Sequence, residues 1–201
     1  MEKERENRTK RVTDRGAGNE YESPSMAERR LEAEPLNTRV SLHPFLAGMK
    51  PAHLALLTSC ALATHFRKGQ AILREGELAD RFYLIETGTV IIESGAGLGD
   101  PVVVDTIGPG DLVGWSWMFP PYVWHFTARA AEQVSALFFY GTTLREHCEK
   151  DPALGYELLK RATAVMLRRM QAARDKMLGV HSGRTKLEPI VLRSAVHGHG
   201  I

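Results

Sequence analysis

The spacing of apolar residues changes twice along the chain. Pro51 suits the first position of a helix, and the stretch after it, AHLALLTSCALATHF, sets Leu54, Leu57, Ala61 and Leu62 at helical spacing. From about residue 66 to 139 that period gives way to short runs: Phe82-Tyr83-Leu84-Ile85, Val90-Ile91-Ile92, Val102-Val103-Val104, and Val134 to Phe139. Lys68-Gly69, Glu75-Gly76, Thr87-Gly88, Gly95 to Pro101 and Gly108-Pro109-Gly110 punctuate them. Many short strands broken at turn residues predict a sandwich or barrel. After Tyr140 the helical period returns. Thr142 or Thr143 is placed to cap a short helix, and Asp151-Pro152 reads as the cap and first turn of a helix of about 25 residues ending near Leu178-Gly179. Along it Leu159, Thr163, Met166, Met170, Ala173 and Met177 alternate spacings of four and three, a stripe suited to helix pairing. The opposite face, with Lys160, Arg161, Arg168, Arg174 and Lys176, reads as solvated.

The flanks lack this patterning. Residues 1–35 are dense in Glu, Arg, Lys and Asn and read as a disordered arm; residues 180–201, with His181, His197 and His199 among glycines, read as a flexible tail. Two histidines in a mobile HGHG make at most a weak metal site, so no metal is expected. This leaves a roll with its N-terminal helix at 42–145, and a short and a long helix at 146–178. A net charge of +2 gives no reason to expect a nucleic acid or an anionic membrane. Cys60 and Cys148 form no ligand spacing and read as reduced thiols. No secretory signal or apolar run of about 20 residues is visible, so a cytoplasmic protein is expected.

The stretch ILREGELADRFYLIETGTV (72–90) closely resembles the cyclic-nucleotide-binding domain family, which includes catabolite-activator and Crp/Fnr-type regulators, kinase regulatory subunits and gated channels. HPFLAGMKPAHL matches the family's opening helix, Gly69, Gly76 and Gly88 its strand-turn glycines, and IGPGDLVG the approach to its phosphate-binding cassette. The resemblance extends over about residues 42–178. It implies a mainly β fold with α: a double-stranded β-helix, or jelly-roll-like β-roll, between an N-terminal helix and a long C-terminal helix. It also implies a ligand site. In the family, a Glu after a Gly holds the ribose, an Arg with a Ser or Thr holds the phosphate, and hydroxylated residues on the long helix hold the base.

Here the cassette reads GDLVGWSWMFPPYVWHFTARA, residues 110–130. Asp111 follows Gly110 where the family has Glu. Trp124 and His125 fall at the phosphate Arg and its hydroxyl partner, and no Lys or Arg lies between Gly110 and Phe126. Reading Arg129 as the phosphate ligand would shift the register and displace Val134 and Leu137 from core positions. On the long helix, Ala173 and Arg174 occupy the base-contacting positions. Burying a phosphate anion without a cation costs at least several kcal/mol, which argues against conventional binding of cyclic AMP or cyclic GMP. Trp115, Trp117 and Trp124 all fall in this segment, with Phe119, Tyr122 and Phe126. Two readings stay open. The aromatics fill the old pocket, or they line one for a planar or apolar ligand, haem among them, with His125 as polar anchor. The candidate ligand residues are Gly110, Asp111, Leu112, Trp115, Trp117, Trp124, His125, Phe126, Ala173 and Arg174.

The function expected is a non-catalytic sensory or regulatory domain that signals to a partner protein, or else a ligand-free interaction module on the same fold. No nucleophile–base, paired-carboxylate or metal constellation points to an enzyme. The helix stripe predicts a homodimer. The segment after Gly179 offers no recognition helix, so direct DNA binding is not expected.

Overall fold

The computed structural model describes residues 26–95 and 100–178. Most of the arm at 1–35, the centre of the turn at 95–101 and the histidine-bearing tail lie outside the described residues.

Among the described residues the chain forms two four-stranded antiparallel sheets. The first joins β1 (Ala61–Phe66), β8 (Val134–Tyr140), β3 (Arg81–Thr87) and β6 (Leu112–Val113), in that order. The second joins β2 (Ala71–Leu73), β7 (Thr127–Ala130), β4 (Val90–Ser94) and β5 (Val102–Ile107). This is the mainly β roll with flanking helices that the resemblance implies. The four apolar runs lie in β3, β4, β5 and β8. Phe82 to Ile85 are buried in succession, because β3 lies inside its sheet and is covered on both faces. Phe82 stacks on Phe139 across β3 and β8, with centroids 4.7 Å apart.

Gly88 shows why the roll needs glycine at one turn. Its φ is 81°, and a Cβ there would lie 2.2 Å from the Gln133 carbonyl oxygen. No helix among the described residues is long and apolar enough to cross a membrane.

Three boundaries differ from those expected. Within the stretch read as arm, residues Met26–Ala33 form helix α1, and α2 follows at Leu36–Leu42. α2 buries Val40 completely and sends Arg39 to Glu86 at the end of β3, so folded structure starts before residue 42. The helix opened by Pro51, α3 (Pro51–Cys60), stops where β1 begins. Ala61 to Phe66 pair with Phe139 to Val134 of β8, and Leu62 points outward, 53% exposed. Sheet pairing there overrides the helical spacing. The short helix α4 (Gly141–Lys150) begins at Gly141, before the expected threonine cap could act. A Cβ on Gly141 would sit 2.8 Å from Cβ of Trp117, so the helix start fits tightly against the cassette.

The long helix α5 (Pro152–Met177) matches its expected span. Asp151 accepts hydrogen bonds from Ala153 and Leu154 N–H and from His53 Nε2 at 3.0 Å, tying the start of α5 to α3. Leu154, Leu158, Ala162 and Val165 are the buried residues of α5. The expected stripe lies one residue round and is largely outward, with Leu159 41%, Met170 64% and Met177 83% exposed.

Candidate functional site

The cassette leaves β6 at Gly114. Its φ of 85° turns the chain, and the missing Cβ lets the Trp124 ring come within 3.0 Å of where that carbon would be. A 3₁₀ turn, Ser116–Met118, follows, then a loop returning through Tyr122 to Trp124. The return is pinned by backbone bonds: Ala79 N–H to Tyr122 O (2.7 Å), Gly76 N–H to Trp124 O (2.8 Å) and Trp124 N–H to Glu77 O (2.9 Å). Trp124 points inward at 3% exposure, while Arg129 lies on β7, paired to Glu93 and donating to Gly69 O.

Between the cassette and the sheet lies a cavity of about 120 Å³, walled by Leu73, Val113, Trp124 and Ala128 and rimmed by Ser116, His125, Phe126 and Arg169. It opens toward a groove of about 470 Å³ between Trp115, Phe126 and α5, where Met166, Met170 and Ala173 form the far wall. Arg169 lines both. Its guanidinium stacks on Trp115 at 4.9 Å, and Nη2 donates to Leu112 O at 2.7 Å. Nε lies 3.6 Å from Asp105 and Nη2 3.9 Å from Asp111. Burial pulls the Arg169 pKa below its ordinary value, while the carboxylates of Asp111 and Asp105 oppose that. The group stays charged, as guanidinium does in proteins.

The ten candidate residues do not form one site. Trp115, Trp124, His125 and Phe126 meet at the cavity, and Ala173 lies in the adjoining groove. Trp117 does not line the cavity. It is 3% exposed, stacked on Phe82 at 5.2 Å, and its carbonyl accepts from Arg145. Leu112 is core. Gly110 turns against Pro44. Asp111 is held by Arg168 at 2.6 Å, so its carboxylate already has a cation. Arg174 is an outward side chain paired with Asp175. His125 is exposed, with Nδ1 3.4 Å from Ser116 Oγ.

Residues 63–151 match the family model described as the cyclic nucleotide-binding domain. This part of the chain is similar to that family. A CRP-like cAMP-activated global transcriptional regulator from Mycobacterium tuberculosis is 28% identical over 130 residues, 65% of this chain and 56% of the relative. The chain thus spans little more than half the length of that curated relative. A cyclic nucleotide-binding protein structure from Geobacter metallireducens superposes with a TM-score of 0.61 at 26% identity, covering 68% of this chain and 99% of the other. The regulatory subunit of a cAMP-independent protein kinase A from Trypanosoma brucei has a TM-score of 0.56 at 22% identity, covering 75% and 53%. That last likeness concerns the fold.

In this chain, then, the cation at the pocket comes from the long helix. Sequence reasoning missed Arg169 and Asp105, because the resemblance points to the cassette for charge. A signal was present: Arg169 continues the buried row Leu154, Leu158, Ala162, Val165.

Proposed function

We propose that the chain is a non-catalytic, cytoplasmic regulatory domain whose aromatic cassette no longer takes a cyclic nucleotide, and whose long helix carries its state to a partner protein. The observation behind this reading is the charge arrangement at Arg169. Residues 111–128 contribute no Lys or Arg. The guanidinium at the cavity faces Asp105 and Asp111, and Arg168 is paired with Asp111. Two cations and two carboxylates balance, so an incoming cyclic phosphate meets no surplus positive charge to offset its desolvation. The inner cavity is also small, 120 Å³ against roughly 300–1,000 Å³ for pockets that enclose a drug-sized ligand, so a nucleotide would lie largely in the open groove along α5.

Calorimetric titration with cyclic AMP and cyclic GMP is expected to show no saturable heat up to about 1 mM, the limit of weak specific binding. Thermal melts should agree. A true ligand at 100 times its Kd would add about 2.7 kcal/mol, or several degrees. Micromolar binding of either nucleotide would overturn the proposal.

The outward row on α5 supports a homodimer in which two copies pair through this helix, as its spacings of four and three favour. Light scattering after size exclusion is expected to give twice the mass of one chain, and Met170→Glu to give a monomer. A wild-type monomer at tens of micromolar, roughly where weak helix pairing still holds, would rule the pairing out. The size of the cavity also favours a second reading, in which the fold serves as an interaction module with no small ligand.

A further inference from the structure

We infer that the cavity behind the cassette holds the single aromatic ring of a small carboxylate, with the ring among Trp124, Val113, Leu73 and Ala128 and the acid at the rim on Arg169 and His125. This rests on the non-nucleotide reading and names the ligand class for that site. Size comes first. An apolar cavity of about 150 Å³ accepts a benzene-sized guest, and this one measures about 120 Å³ with one side open. One ring fits; a base, ribose and phosphate would have to extend into the adjoining groove. The lining agrees, because the walls are aliphatic and aromatic and the polar side chains are confined to Ser116, His125 and Arg169, apart from the Trp indole N–H groups. Flat rings stack well on such surfaces.

The rim specifies the acid. Arg169 uses Nη2 on Leu112 O and holds Nε loosely near Asp105. Its Nη1 has no hydrogen-bond partner among the described residues. His125 offers a ring nitrogen, and Ser116 Oγ lies 3.4 Å from the other. A guanidinium held by stacking on Trp115 keeps its donors in a fixed plane, the geometry that a carboxylate matches. The charges around Arg169 already balance, so the acid must keep part of its hydration, which it can do beside the exposed His125 and a phosphate enclosed in the cavity could not. Because Arg169 belongs to α5, a ligand held there would bear directly on the long helix.

Benzoate is the probe, with acetate as the ringless control and cyclic AMP alongside, followed by calorimetry and tryptophan fluorescence on the full chain. Saturable benzoate binding with a Kd on the order of 0.1–1 mM, ordinary for so small a ligand, is expected, and none with acetate. Arg169→Met should weaken benzoate by about tenfold or more, as loss of a charge-assisted hydrogen bond does, with Arg169→Lys recovering part of it. Ala128→Val, which narrows the cavity from the strand side, should abolish binding while leaving the melting transition cooperative; it serves as the test if Arg169→Met fails to fold. Absence of saturable benzoate binding overturns this inference and leaves the non-nucleotide reading standing. Benzoate binding unchanged in both Arg169→Lys and Ala128→Val places it elsewhere and also overturns it. Micromolar cyclic AMP binding in competition with benzoate overturns both readings.

Discussion

Glu86→Ala is expected to cost about 3–5 kcal/mol, the usual penalty for stripping one partner from a buried ion pair. Arg39 and Glu86 have side chains 6% and 5% exposed. They meet through two parallel hydrogen bonds, with Arg39 Nε to Glu86 Oε1 at 2.8 Å and Nη2 to Oε2. With the carboxylate removed, the buried guanidinium loses both of these charge-assisted hydrogen bonds. Water must enter or α2 must leave. The double variant Arg39→Met with Glu86→Leu should recover most of the loss, because it removes both desolvation penalties and keeps apolar volume. Urea unfolding reads this as a lower midpoint at unchanged slope. A loss under about 1 kcal/mol, typical of exposed pairs, would mean that the pair is solvated.

The pair matters for the site because it fixes α2 beside His43 and Pro44, and Pro44 supports the turn at Gly110. His43 accepts from Phe45 N–H on Nδ1 and donates from Nε2 to Ile85 O, at 3.2 and 3.0 Å. Burial pushes its pKa down and favours the neutral ring that this arrangement requires.

Trp117→Ala is expected to cost about 3–5 kcal/mol, as deletion of a buried aromatic does. At roughly 2–4 °C per kcal/mol for a domain of this size, the melting temperature should fall by about 10 °C. The ring sits on Phe82, which sits on Phe139, so its removal opens one end of an aromatic stack. It also takes the contact away from Gly141, where α4 begins. Trp115→Ala should cost much less, about 1–2 kcal/mol, because that ring is only half-buried. Its effect should appear in benzoate binding instead. Thermal denaturation followed by circular dichroism separates the two. Equal losses would show that both tryptophans are core residues.

The tryptophans also show how far sequence reading reached. All three stood out as one cassette feature, and nothing local to them told which was structural. Trp117 became core because Gly141, 24 positions later, leaves room for it. Trp124 lines the cavity because Gly114 lets it approach. Such pairings are tertiary. The helical spacing after Pro51 misled for a related reason: Ala61 and Leu62 continue the period, but β8 supplies a ladder that satisfies their backbone better.

On α5 two rows a residue apart were both candidates for the inner face. The spacing of Leu159 to Met177 suggested pairing, and the structure turned the neighbouring row inward.

The period changes, the turn glycines and the Asp151-Pro152 cap are local constraints. Backbone sterics and side-chain spacing act there without any partner, so the sequence alone determined the roll, the long helix and the absence of a cation from residues 111–128. Which face of the helix turns inward, and hence that Arg169 rather than a cassette residue brings charge to the pocket, was decided only by tertiary packing. A helix can present any row to a sheet, and the row chosen depends on the volume and charge that the distant strands offer it.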